Sequence, residues 1–166
     1  QLFRPAVIYL NGEYWGIQNI REKVNEHFLS SHHDINPENI DLLDIQGTNP
    51  ENIVHGTNVD YLNLLDYLNN NDIRDPAVQS GIEGWIDINS FMQYQAFQIF
   101  IDNRDWPGNN IKFWRDHRTT GKWRWILYDT DFGFGIWDPG AYTYNTLSFA
   151  LTPNGPDWPN PPWSTL

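Results

Sequence analysis

The chain contains no cysteine, which excludes a disulfide framework, a thiolate metal site and a cysteine nucleophile. Positive charge is scarce: ten Lys plus Arg stand against 21 Asp plus Glu, a formal net charge of -11. Such a surplus repels phosphate backbones and anionic lipid, so a bare nucleic-acid or membrane-surface role is disfavoured, and a bound polyphosphate is expected to arrive with a metal. No apolar run approaches the roughly 20 residues that span a bilayer, and no charged-then-apolar start marks a signal peptide. Aromatic bulk, by contrast, is plentiful: Phe, Trp and Tyr make up 16% of the 166 residues, with nine Trp. A disordered chain would be poor in such side chains, and one globular domain is expected. The chain starts at Gln1 and reads straight into a strand-like run, as expected of a piece of a longer protein.

Asn11-Gly12 lies between two β-prone runs within residues 6–20, and Asn-Gly supplies the positive φ angles of a type I′ hairpin turn. Val24, Phe28 and Leu29 then fall at helical spacing within Arg21 to Ser31. Residues 33–58, rich in Asn, Asp and Gly, read as irregular surface chain with one short strand, Ile40 to Ile45. Tyr61, Leu62, Leu64, Leu65 and Leu68 fit an amphipathic helix ended by Asn69-Asn70-Asn71, and Asp75-Pro76 starts a further turn of helix. Asp87 or Asn89 caps the longest helix, whose apolar residues wrap most of its circumference and predict burial on nearly all sides. A second hairpin pairs Ile111 to Arg115 with Lys122 to Asp129, and a Pro-rich tail, 139–166, reads as coil.

Two acidic clusters end regular elements, where function tends to sit. One is Asn103-Arg104-Asp105-Trp106-Pro107-Gly108-Asn109-Asn110, after the long helix; the other is Asp129-Thr130-Asp131-Phe132-Gly133, after the second hairpin. Phosphoryl transfer needs a carboxylate to orient or deprotonate the attacking hydroxyl and oxygen ligands to hold Mg²⁺. Protein kinases place that carboxylate after a buried helix, an amide ligand five residues on, a hairpin, and then a metal-binding Asp in Asp-Phe-Gly. Asp105, Asn110, the hairpin and Asp131-Phe132-Gly133 follow the same order and spacing. Each piece also has an ordinary use, Asp105 as a turn cap and Gly133 as turn chemistry. Asp129 and Asp131 flank one residue, so in a strand they share a face and repel unless a cation lies between them.

These blocks, with Asn11-Gly12-Glu13-Tyr14-Trp15-Gly16, Arg21-Glu22-Lys23 and Gly121-Lys122-Trp123-Arg124-Trp125-Ile126-Leu127-Tyr128 leading into Asp129, resemble the CotH family, the spore-coat protein H type of atypical secreted kinase. The resemblance covers most of residues 5–135. It implies an α+β fold: a kinase-like large lobe over 21–138, mostly helical with short antiparallel hairpins, preceded by the last small-lobe hairpin at 1–20. It further implies ATP and Mg as cofactors, Asp105 as catalytic aspartate, and Asp131 as the magnesium aspartate. Asn110 is then a second metal ligand, with Asn109 an open alternative, and Asp129 a supporting acid or direct ligand. Trp125 is the candidate for stacking on adenine, or else packs in the core with Trp123 and Trp114. Arg21 and Glu22 are hinge candidates for adenine, or else Glu22 is a first-turn helix acid. The acceptor is expected to be a secreted or spore-coat protein, with an extracellular or spore-surface setting and no nucleic-acid partner or membrane insertion. A kinase also needs a phosphate-covering loop and a strand Lys paired with a helix Glu. Neither is present, and Lys23, one of three Lys, follows the first hairpin.

Two other functions compete. Asp129-Thr130-Asp131 reads as an Asp-x-Asp grip on a metal and sugar nucleotide in a glycosyltransferase, although Asp105 to Asn110 then has no role. A non-catalytic module could stack Trp and Tyr on carbohydrate and hold Ca²⁺ in its Asp/Asn-rich middle. The five His lack the paired spacing of a zinc helix, and no Gly-x-Ser-x-Gly elbow supports a serine hydrolase.

Overall fold

Asn11 and Gly12 both take positive φ, 51° and 86°, and the type I′ turn they form joins β1 (Phe3–Leu10) to β2 (Glu13–Arg21) in antiparallel register, Leu10 opposite Glu13. The structure, a computed structural model, describes residues 3–46, 49–119, 121–136 and 138–151. It divides into two compact units, 1–37 and 38–166. In the first, the hairpin is followed by α1 (Glu26–His33), whose N-cap Asn25 accepts a hydrogen bond from the Phe28 N–H at 3.0 Å and whose Leu29 is buried.

The second unit is built on a four-stranded antiparallel sheet of order β4-β3-β5-β6, formed by β3 (Ile40–Gln46), β4 (Asn49–His55), β5 (Ile111–Asp116) and β6 (Arg124–Ile126). The fold class is therefore α+β, with two small antiparallel sheets. The expected irregular stretch at 33–58 is corrected here: its Ile40 strand is central, and a second strand pairs with it. Pro50 hid β4, because proline cannot donate to a ladder, yet an edge strand tolerates it. Strand β3 carries two buried acids opposite two cations: Asp41 faces Arg115 and Asp44 faces Lys112, at 2.8 and 2.9 Å. Arg115 also binds Asp60.

Gly56 ends β4 at φ 75°, where a Cβ would overlap the Asp41 carboxylate and the Ile40 carbonyl. Gly56→Ala is expected to cost at least about 1–2 kcal/mol from backbone handedness alone, read as a lowered denaturation midpoint; an unchanged midpoint would show that the turn relaxes freely.

Helices α2 (Val59–Asn70) and α3 (Pro76–Trp85) follow, the latter with Pro76 at N1 and Asp75 accepting from the Ala77 N–H at 2.8 Å. Asp87 caps α4 (Ile88–Phe100), accepting from the Ser90 N–H at 3.1 Å and from Arg124 Nε at 3.0 Å. The Ser90 hydrogen bond foremost, and then Arg124, hold the Asp87 carboxyl below its ordinary range. A depressed folded-state pKa stabilises above the unfolded value and loses that contribution as pH falls through the folded one. Asp87→Ala is therefore expected to cost about 0.5–2 kcal/mol at neutral pH. That gap should close below about pH 4; a gap constant with pH would refute the assignment.

Helix α4 is not buried on nearly all sides. Tyr94, Gln95 and Gln98 are its buried residues, whereas Met92 and Phe100 are 58% and 77% exposed. The helix packs on β6 and on α5 (Thr146–Ala150). Nor is the start of the tail mere coil: Ala141, Thr146 and Ala150 are buried. Residues 152–166 lie outside the described residues. The core gathers Leu43, Ile45, Leu64, Tyr94, Trp106, Ile111, Phe113 and Trp123.

Candidate active site

The loop after α4 is held from both sides. Asn103, 1% exposed, donates from Nδ2 to Gln98 Oε1 at 2.9 Å, and its Oδ1 accepts the Asp105 N–H at 3.0 Å. This amide pair fixes the backbone of Asp105 against α4. Asn109 Nδ2 donates to both carboxylate oxygens of Asp105 at 3.1 Å, and Asn110 Nδ2 donates to Asp105 Oδ2. Asp105, Asn109 and Asn110 thus converge within one loop, which includes the cis Trp106-Pro107 bond.

The Asp-Phe-Gly segment is stitched to this loop. The Arg104 N–H donates to the Phe132 carbonyl at 3.4 Å, and the Phe134 N–H donates to the Ile101 carbonyl. A Cβ on Gly133 would sit 3.1 Å from the Ile101 carbonyl oxygen, so glycine permits the close approach. Farther along, Thr146 Oγ1 donates to Asp102 Oδ1 at 2.6 Å, Arg104 pairs with Asp102 at 2.9 Å, and the Arg104 guanidinium lies 4.3 Å from the Phe149 ring centroid. Helix α5 therefore braces the loop from below.

Strand β6 ends at Ile126, three residues short of the expected Asp129. Asp129 takes φ 50° and Asp131 lies in a turn, both exposed, so the strand alternation that would set them on one face does not apply. Among the described residues, no three or more His, Cys, Asp or Glu form a group able to hold a metal. The acids alone therefore do not complete a magnesium site. The wider donor set of Asp105, Asn109, Asn110, Asp129 and Asp131 offers only carboxylate and amide oxygens, the hard ligands magnesium takes.

Four of the six described non-glycine residues with positive φ, Asp102, Asn110, Asp129 and Phe134, fall in these two loops. Backbone held in sparsely populated regions clusters at functional sites. Tyr128 joins the acids: its hydroxyl is buried with no hydrogen-bond partner among the described residues. Burial foremost, then the fields of Asp44, Tyr94, Asp129 and Asp105, push its pKa up and keep the phenol protonated. Lys112 Nζ lies 5.1 Å from its ring centroid. Asn103 and Tyr128 lie in the blocks quoted from the sequence, but neither is given a role there. The signals were a tyrosine directly before the acid pair and a glutamine, Gln98, inside an apolar helix.

Trp125 stacks on Phe113 at 5.8 Å between centroids and meets Phe91 edge-on at 4.8 Å. It also lines a cavity of about 480 Å³ with Ser90, Gln93, Tyr94, Phe97 and Leu127. Core packing and cavity wall are thus both served by one side chain. In the first unit, Arg21 ends β2. Glu22 meets His32 Nε2 at 3.2 Å and precedes α1, whose first-turn acid is Glu26, so the alternative of Glu22 as a first-turn acid is corrected.

No helix among the described residues is long and apolar enough to cross a membrane. No curated protein and no solved structure matches the chain. The family model described as CotH kinase protein matches residues 1–166, the whole chain. The chain therefore belongs to the CotH family.

Proposed function

We propose that the protein carrying this chain transfers the γ-phosphate of ATP to a Ser or Thr hydroxyl of a protein, the acceptor being a secreted or spore-coat protein. The observation that carries this reading is the backbone stitching of the Asp105 loop to Asp131-Phe132-Gly133, which draws together two segments 26 positions apart in chain numbering. In the proposed reaction the acceptor oxygen attacks the γ-phosphorus, the bond to the β–γ bridging oxygen breaks, and ADP leaves. The hydroxyl proton passes to the Asp105 carboxylate. Asn103 keeps that carboxylate aimed, because it grips the backbone N–H of Asp105. Asp131, Asn110 and Asp129 would hold Mg²⁺, with Asn109 as the alternative amide. When bound, the metal neutralises charge on the phosphate oxygens.

The 480 Å³ cavity beside Trp125 lies within the 300–1,000 Å³ typical of ligand pockets and supports Trp125 as the adenine wall. The protonated Tyr128 hydroxyl supplies a donor near two of the acids. The measurement is incorporation of the γ-phosphate from Mg-ATP into protein by the full-length protein. Incorporation no higher than in a reaction without enzyme would sink the reading.

A further inference from the structure

A second cavity, of about 520 Å³, lies in the larger unit where the end of α4 meets residues 141–147. Its wall includes Ile99, Phe100 and Asp102 on one side and Tyr142, Asn145 and Leu147 on the other, and it shares no lining residue with the cavity beside Trp125. The large side chains here face water: Phe100 is 77% exposed, Tyr142 90% and Leu147 51%. Phe134, also 77% exposed, meets Phe100 edge-on at 6.4 Å and carries the apolar surface past the rim.

Contiguous exposed apolar surface rimmed by polar residues marks a place where something binds. The occupant carries little charge, because Asp102, the one charged wall residue among the described residues, is already paired with Arg104 and bonded by Thr146. A segment of matching chemistry begins at the rim. Leu147 lies on the wall, and Leu151, one helical turn on and 54% exposed, donates its N–H to the Leu147 carbonyl at 3.0 Å. Residues 152–166 continue from there with five Pro, Trp158 and Trp163, and a single charged side chain, Asp157. Proline-rich segments dock in aromatic-lined grooves because their restricted backbone costs little entropy to order, and an indole adds a large apolar face. Trp158 stands seven residues past Leu151, a reach of about 22 Å at the rise of about 3.1 Å per residue of extended proline-rich chain. Tethering supplies an effective concentration of about millimolar. Two separate copies, each at a net charge of -11, would instead repel.

We infer that this cavity is the docking site of the chain's own segment 152–166, with the Trp158 indole seated between Phe100 and Tyr142 and the neighbouring prolines laid on the exposed rings. Neither Asp105 nor Asp131 lines the cavity, so the docking stands or falls apart from the proposed phosphoryl transfer.

The test is nuclear Overhauser spectroscopy on the isotope-labelled full chain, with the Trp158 indole assigned by Trp158→Phe. Cross-peaks from that indole to the Leu147 methyls and the Phe100 ring are expected, and they should persist on dilution. Phe100→Ser should abolish the cross-peaks to Leu147 and move the Trp158 indole N–H to the position of free tryptophan, while the buried Trp123 indole resonance stays in place as a control on the fold. Should Phe100→Ser disturb α4, Tyr142→Ser alters the opposite wall at a side chain 90% exposed. The docking is overturned if the Trp158 indole gives no cross-peak to this wall, or if its cross-peaks to Leu147 survive both substitutions. It is equally overturned if, in a mixture of labelled and unlabelled chain, the cross-peaks arise only between molecules, which would make the surface an interface between copies.

Discussion

Phosphate incorporation is expected to fall by about 10²–10⁴-fold when Asp105 is replaced by Asn in the full-length protein, the range that loss of a general acid–base group produces. The substitution keeps the shape of the side chain and leaves the backbone N–H at this position bonded to Asn103 Oδ1, so the loop remains in place. What disappears is the negative charge proposed to receive the hydroxyl proton. The melting temperature is therefore expected to stay near that of the unsubstituted protein, while kcat collapses and KM for ATP changes little. A variant that retains wild-type turnover would remove Asp105 from the mechanism, whatever else the protein does. A variant that loses activity together with its fold would instead mark Asp105 as a turn residue. Asn109 and Asn110 donate to the same carboxylate, and Asp105→Asn turns one acceptor oxygen into a donor facing them. A modest loss of stability, about 1 kcal/mol, is compatible with that change.

The largest stability effect is expected at Trp123. Its side chain is 0% exposed, meets Phe113 and Tyr61 edge-on at 5.4 and 5.7 Å, and carries the Arg115 guanidinium 5.4 Å from its ring centroid. Its backbone adds a bridge: Trp123 N–H donates to the Trp85 carbonyl at 2.8 Å, and the Asp87 N–H donates back to the Trp123 carbonyl at 3.0 Å. Truncation to Ala leaves the bridge but empties the centre of the aromatic cluster. The cost is expected to be about 3–5 kcal/mol, a large part of the 5–15 kcal/mol that holds a typical domain. Urea denaturation measures it; a midpoint shift worth less than about 1 kcal/mol would mean that Phe113 and Tyr61 close over the gap. The burial of Trp106, Trp114 and Trp123 also counts against a carbohydrate platform built from these three, since a stacking face must be accessible.

Where residue type and local geometry coincide, the sequence was readable. Asn11-Gly12, Asp75-Pro76 and Asp87 each announce a backbone conformation that their own chemistry favours, and all three stand where expected. The β5–β6 pairing was likewise visible, although its second strand is shorter than the β-prone run because Asp129 leaves extended geometry. Strand β4 was not visible, because an edge strand takes its identity from a neighbour and its own Asn, Pro and Glu suggest a loop. The exposure of Met92 and Phe100 was also hidden: hydrophobic periodicity reports what a helix could bury, not what packs against it. At the candidate site, spacing singles out Asp105 and Asp131. The contacts that join their loops were not, since backbone groups of Arg104, Phe132, Phe134 and Ile101 make them and no side-chain pattern encodes them.

The paired strands β3 and β5 have a consequence for encounter kinetics. Lys112 and Arg115 are spent inside the sheet on Asp44 and Asp41, and Arg104 is largely covered on Asp102, their side chains 11–13% exposed. Three of the ten Lys and Arg are thus withdrawn from the surface together with the acids they pair with, which leaves the net charge at -11 but fewer cations for an incoming anion to meet. An incoming anion approaches against that field. Added salt, which ordinarily slows attraction between opposite charges, should here screen repulsion and hasten the capture of the nucleotide proposed above.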